Sequence, residues 1–287
     1  MQHSSDRISL AEVEALVFSG GGSRCLWQAG FWELLAKREG YRPKVIATAS
    51  AGATIACISL AGKAEEGLDY FKRVTASNPK NVYLEHLFSS RAVFPHYEIY
   101  RKAIHDLFSE RDLERLKTGP ELRIQISHPP RWLGSRSGAM VGIAAYSLEK
   151  FLRNPMHPTF PSALGFNASV VTLESCATVS DLADVLLQSS CTPPFVPVMR
   201  RQGKPALDGG LIDNVPVSLT VDMAGKVLVL LSRPYDSKSI PQVSNRIYLQ
   251  PSEAIGISKW DYTNPNGLQI AYDLGKKDAE VFFRERF

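Results

Sequence analysis

The sequence predicts an α/β fold, and two observations carry that prediction. Near the N-terminus an apolar run, "EVEALVF", passes through "SGGG" into a helical stretch, "SRCLWQAGFWELLAKREG". The pattern then repeats: "KVIATAS" reads as a strand and "AGATIACISLAG" as a small-residue helix. Two successive strand–helix units favour layered α/β packing. Strand-like runs also recur along the whole length, which makes residues 1–287 simplest to read as one domain. No internal repeat or low-complexity linker divides it.

In the first helix Cys25, Leu26, Ala29, Leu34 and Leu35 fall near helical spacing, with Gly40 as the expected stop. Helical stretches follow around Gly67 to Val74 and Tyr97 to Leu107. "ELRIQISHP" reads as a strand and "SGAMVGIAAYSLEKFLR" as a helix with little polar surface at its start. "SVVTLES" is a further strand and "VSDLADVLLQSS" a further helix. "CTPPFVPVMRRQGKPALDGGLIDNVPV" is a loop and hairpin region rich in proline and glycine. "KVLVLLSRP" and "NRIYLQP" are late strands, and the segment from about Asn266 to Phe287 is helical.

The chain has 287 residues, 44% hydrophobic and 22% charged, the composition of an ordinary globular protein. A formal charge of +4 favours contact with anionic surfaces but is too weak to argue for nucleic acid. No run reaches the roughly 18 apolar residues of a membrane span. The start, "MQHSSDRISLAEVE", lacks the apolar centre of a signal peptide, so a cytoplasmic protein is expected. Signal-independent secretion stays open. Cys25, Cys57, Cys176 and Cys191 show no metal-ligand spacing and read as buried free thiols in a reducing compartment.

Chemistry concentrates at three places. Gly20, Gly21 and Gly22 end a strand and open a helix, so backbone N–H groups can crowd one point beside a positive helix terminus. That arrangement binds a phosphate or stabilises an oxyanion, or is simply a tight turn. The P-loop reading fails for want of a lysine. The dinucleotide fingerprint fails because Cys25 stands where it needs glycine. Arg24 is a cation in the first helical turn, against the helix dipole, and makes more sense beside an anion.

Second, Ser50 in "IATASAGAT" sits on a strand-to-helix turn, as a nucleophile elbow does. Thr48 occupies the position where G-x-S-x-G has its first glycine, whereas Gly52 is retained. A nucleophilic serine needs a base. The histidines stand at 3, 86, 96, 105, 128 and 157. Only His3 precedes Ser50, and none follows His157, so the familiar triad orders lack a credible histidine. Ser50 with Asp106 and His128 or His157 remains open, without a supporting motif. Each histidine otherwise reads as structural or surface. The third place is "PALDGGLIDNVPV", which offers Asp208 as a carboxylate base. Alone it would read as a hairpin turn.

Together, "GGGSR", "SAG" at the elbow and "DGG" followed by "LIDNVP" resemble the patatin-like phospholipases. "SSCTPPFVPV" resembles that family's lead into its DGG strand. The resemblance runs from about Val17 to Val217, with a weaker echo in the C-terminal helix. Residues 226–287 would complete the fold. The resemblance implies a three-layer α/β/α sandwich around a mostly parallel sheet. It implies a Ser–Asp dyad that hydrolyses an acyl ester of a lipid without metal or cofactor. Ser50 would be the nucleophile and Asp208 the base. The loop Gly20, Gly21, Gly22, Ser23 and Arg24 would form the oxyanion hole, and Asn214 would brace the turn of Gly209 and Gly210. A partly buried Asp208 with a raised pKa is expected, because an ordinary aspartate, near pKa 3.9, is a weak base for this step.

Two residues depart from the family pattern. Cys25 stands where glycine is frequent, and Thr48 implies an elbow that is strained or slow. The same residues also fit an esterase or thioesterase on soluble acyl substrates, or a lipid-binding protein that kept the fold without activity. Arg131, Trp132 and Arg136 beside an apolar helix fit a membrane interface as well as a core helix. Arg200, Arg201 and Lys204 read as a solvated basic turn.

Overall fold

The structure, a computed structural model, describes residues 9–38, 41–89 and 92–286. His3 and the expected helix stop Gly40 lie outside the described residues. Strands β1 (Val13–Phe18), β2 (Val45–Ala49), β3 (Glu121–His128), β4 (Asn167–Val171), β5 (Met199–Arg201), β6 (Lys204–Asp208), β7 (Lys226–Leu230) and β8 (Arg246–Leu249) form the sheet. Its centre runs β3–β2–β1–β7–β8 with parallel pairing throughout, and β4, β6 and β5 are added antiparallel beyond it. The helices are α1 (Leu26–Ala36), α2 (Ala51–Leu60), α3 (Ala64–Ser77), α4 (His96–Leu107), α5 (Glu110–Lys117), α6 (Ser135–Leu152), α7 (Phe160–Ala163), α8 (Val179–Ser189) and α9 (Pro265–Arg286). The architecture is the α/β/α sandwich of the expected fold class.

Two-residue alternation divides the core. Leu16 and Phe18 of β1, Ile46 of β2, and Leu228 and Leu230 of β7 join one cluster, with Trp27, Phe31 and Leu35 of α1 and residues of α2, α4, α8 and α9. Ala15, Val17, Val45, Ala47, Val227 and Val229 join another, with Met156, Val215 and Val217. This is the pleat of strands buried on both faces, with a layer against each. Burying each large side chain contributes about 1.5–3 kcal/mol. C-terminal α9 closes over α1: Phe31 meets Phe282 and Phe283 at 5.7 and 6.2 Å, and Trp27 Nε1 donates to Asp278 at 2.7 Å.

Three elements differ from the sequence reading. Helix α5 was not expected; its Ser109–Asp112 capping box satisfies donors at both positions. The strand read as "SVVTLES" begins two residues earlier, at Asn167, and ends at Val171, and Leu173–Ser175 form a 3-10 turn. The "SGGG" helix start is also a 3-10 turn, Gly22–Cys25, before α1 begins. Among the described residues no helix is long and apolar enough to cross a membrane.

One feature of β3 positions everything that follows. Ile126 pairs with Ser169 of β4 and with Asp208 of β6, whereas Ile124 pairs with Val171 of β4 and with Thr48 of β2. Strands β2 and β6 therefore share one edge of β3, and run toward each other. Ala49, the last residue of β2, faces Gln125, and Asp208, the last residue of β6, faces Ile126. Ser50 and Asp208 meet where the two strand ends abut.

Candidate active site

Ser50 turns the chain from β2 into α2 with φ 54° and ψ −139°, a left-handed conformation that costs a non-glycine residue energy and is held by its surroundings. Its N–H donates to Ser189 Oγ at 3.0 Å, and that hydroxyl donates to Gln125 O at 2.7 Å, so α8 and β3 pin the elbow. A Cβ on Gly52 would lie 2.5 Å from Phe18 O and 2.7 Å from Ser19 O. The tightest approach of Gly52 is thus to the end of β1. Thr48 is fully buried and donates its hydroxyl to Arg123 O at 3.2 Å. The backbone strain of the elbow lies at Ser50, with its positive φ.

Ser50 Oγ donates to Asp208 Oδ2 at 2.7 Å. The same oxygen accepts from Thr192 Oγ1 at 3.0 Å, and Oδ1 accepts the Gly210 N–H at 2.7 Å. Ser50 and Asp208 are 7% and 9% exposed. Burial pushes the Asp208 carboxyl above the usual carboxylate range, against the opposing hydrogen bonds from Ser50, Gly210 and Thr192. The Asp208 turn is held from β3: Gln125 Nε2 donates to Gly209 O and Asp213 O, both at 2.9 Å. Thr192→Val removes a bond that favours the ionised carboxyl. Its acid limb of kcat/KM is therefore expected at higher pH than the wild type's; coincident pH profiles would deny Thr192 this positioning role.

In the glycine loop the expected donor set narrows. The Gly20 N–H is occupied by Asn214 O at 2.9 Å and the Ser23 N–H by Lys259 O at 3.2 Å. Gly21 and Gly22 have no hydrogen-bond partner for their N–H groups among the described residues. Ser23 Oγ is tied to Asp261 O at 3.1 Å, and Arg24 turns its guanidinium into the cleft. Asn214 packs against Gly210, its Oδ1 2.7 Å from where a Cβ on that glycine would stand. Its Nδ2 donates to Gly20 O at 2.8 Å, so it ties the glycine loop to the segment after the Asp208 turn. Ser232 Oγ donates to the same carbonyl at 2.6 Å. Cys25 fits without displacing the loop, its buried Sγ directed at Ser19 O at 3.4 Å.

Two cavities meet at Ser50. A cleft of about 360 Å³ contains Ser50, Asp208, the glycine loop, Lys150, Arg233, Lys259 and Trp260. A second pocket of about 60 Å³ also reaches Ser50, with Leu26, Ile55, Phe71, Val196 and Leu268 in its lining. Sequence reasoning missed Thr192, Ser189 and the three cations. Thr192 lies within "SSCTPPFVPV", a stretch with a visible signal; the cations come from remote segments and have none. Among the described residues no histidine bonds Ser50: His128 is held by Pro205 O and Ser169 Oγ, and His157 by Asp213.

A sequence model of the patatin-like phospholipases matches residues 16–221. The chain belongs to the patatin-like phospholipase family. Members of this family are lipid acyl hydrolases, and the elbow, the DGG turn and the glycine loop all lie inside the matched span. Among solved structures, the patatin-like chain is similar to VipD from Legionella pneumophila, at 12% identity and a TM-score of 0.48, over 96% of this chain and 67% of that one. No curated protein matches it.

Proposed function

We propose that this protein is a serine hydrolase that cleaves carboxylic esters of phospholipids or lysophospholipids through Ser50 and Asp208. The observation that carries the reading is the 2.7 Å bond from Ser50 Oγ to Asp208 Oδ2 at a strained, buried elbow. Asp208 takes the Ser50 proton as Oγ attacks the ester carbonyl. The N–H groups of Gly21 and Gly22 receive the developing oxyanion. Collapse expels the alcohol, which takes the proton from Asp208 and leaves an acyl-enzyme. Water then loses a proton to Asp208 and attacks; release of the acid returns that proton to Ser50. These steps need no group beyond the chain's own residues.

The apolar pocket beside Ser50 suits an acyl chain, which favours a lipid ester over a small soluble one. Residues 1–287 are read as one domain, because α9 packs on α1 of the matched core. A membrane-facing surface belongs to the same reading. Trp132, Met140, Phe151 and Leu152 on and before α6 are 76, 73, 87 and 60% exposed. Arg131, Arg136 and Arg153 flank them. Apolar side chains with a basic rim suit an anionic lipid surface. Phe151→Glu with Leu152→Glu should lower partition onto anionic vesicles by at least about tenfold, the transfer value of one buried large side chain. Equal flotation of variant and wild type would exclude this face. Arg200 and Arg201 have protein partners instead: Gly203 O and Ser135 Oγ for the first, Gln188 and Ser175 for the second.

The direct test is labelling by a fluorophosphonate probe. Wild type should be labelled at Ser50, and Ser50→Ala should not be labelled. Absence of labelling in folded wild type would favour a lipid-binding protein that kept the fold.

A further inference from the structure

Four cations line the cleft beside Ser50. Arg24 follows the glycine loop, Lys150 ends α6, Arg233 follows β7, and Lys259 precedes α9. Among the described residues none of the four forms an ion pair, whereas Arg123 elsewhere sits between Glu121 and Asp222. The contacts they do make are with neutral groups. Arg24 Nε reaches Gly21 O at 3.4 Å and Arg233 Nη2 reaches Asn154 Oδ1 at 2.9 Å. Asp208 is the lone carboxylate among the described residues of the cleft, and Ser50, Thr192 and Gly210 already bond it.

Like charges gathered in a half-enclosed site repel one another and lose hydration. Burial, then Lys259, Arg233 and Arg24, pull the Lys150 ammonium down to about 8. Burial also lowers Lys259 and Arg24. A bound anion removes this repulsion. Three aromatic rings of the cleft meanwhile already carry a cation of the protein, which disfavours a cationic head group there. The Arg233 guanidinium lies 4.0 Å over the Tyr235 ring, the Lys259 ammonium 5.6 Å from the Trp260 ring and the Lys150 ammonium 5.9 Å from the Tyr146 ring. The surfaces that would cradle a quaternary ammonium are covered by the protein's own charges.

We propose that the cleft is a subsite for a phosphate dianion on the substrate, so that the enzyme acts on acylglycerol phosphates in preference to neutral or choline-bearing esters. This rests on Ser50 as the nucleophile. A phosphate monoester carries about −1.5 to −2 charges at neutral pH and three strong acceptor oxygens. Two guanidinium forks and two ammonium groups match it in charge and in donors. With the acyl chain in the apolar pocket and the phosphate in the cleft, the ester lies between them at Ser50.

The test uses short-chain esters below their micellar threshold: an acylglycerol phosphate, the same acylglycerol without phosphate, and its phosphocholine form. The kcat/KM for the phosphate ester should exceed the other two by about tenfold or more, the scale of one charged hydrogen bond. Arg233→Met and Lys150→Met should each shrink that ratio by about tenfold. Equal kcat/KM across the three esters, or a ratio unmoved in both variants, overturns the proposal. Should either variant fail to fold, calorimetry on Ser50→Ala decides: the acylglycerol phosphate should bind, more weakly as salt rises, and no binding overturns the subsite. Tighter binding of inorganic phosphate than of the acylglycerol phosphate overturns the head-group assignment. Binding of the acylglycerol phosphate without turnover of any ester by wild type refutes the hydrolase reading and supports the anion subsite.

Discussion

Replacing Asp208 with asparagine is expected to lower ester turnover by about 10⁴-fold, the upper end of what a general base contributes, and to raise thermal stability at neutral pH. The first effect follows from Asp208 being the acceptor of the Ser50 proton. The second follows from the direction of its pKa shift. Burial raises the carboxyl's pKa in the folded protein, so the fold holds the proton more tightly than the unfolded chain does. Below the unfolded value, about 3.9, both states are protonated and no penalty exists. As pH rises from there through the raised folded value, ionisation favours the unfolded chain and stability falls. Asparagine keeps the shape and the Gly210 contact without the charge. The gain in melting temperature should therefore be full at pH 7 and shrink toward pH 4. Scanning calorimetry of both proteins at several pH values checks it. An asparagine variant less stable than wild type at pH 7 would mean that the hydrogen bonds to Asp208 outweigh its burial. For activity, the same shift puts the acid limb of kcat/KM above the range of an ordinary carboxylate.

The second large effect is at Gly21. A side chain there would run into Ser232 Oγ and Cβ and lie 3.2 Å from Cys25 Sγ. Gly21→Val would displace the loop that lines the cleft beside Ser50 and is proposed to receive the oxyanion. The expected loss is about 10²–10³-fold in kcat, as for one missing oxyanion donor, with about 1–3 kcal/mol of destabilisation from overpacking. Gly256→Ala is the control, since a Cβ there meets nothing within 4 Å. Retained turnover in folded Gly21→Val would remove this loop from the chemistry.

The misses and hits of the sequence reading have a common physical basis. Strand and helix existence was legible in β1, β2, β7 and α2, because alternation and small-residue runs report which faces are buried. Helix α5 escaped because it is only eight residues long and its apolar face is the single pair Leu113 and Leu116, although the Ser109–Asp112 box signalled its start. The donor roles of Gly20 and Ser23 were misjudged. Their N–H groups are taken by Asn214 O and Lys259 O, partners about 190 and 236 positions away that no local pattern names. The close neighbour of Gly52 was equally hidden: it is the end of β1, adjacent in the sheet and remote in the chain.

By itself the sequence determined the alternating α/β layers, the glycine turn, the serine at a strand-to-helix bend and the aspartate before two glycines. All of these are local, set by backbone freedom and by the period of burial. Only the tertiary structure decided that the serine and the aspartate, 158 positions apart, share a hydrogen bond. That contact depends on the register by which β2 and β6 end side by side along one edge of β3. The same holds for the four cations of the cleft, which four separate segments bring together. Register and packing come from the sum of many weak contacts across the sheet, and no single stretch of sequence carries that sum.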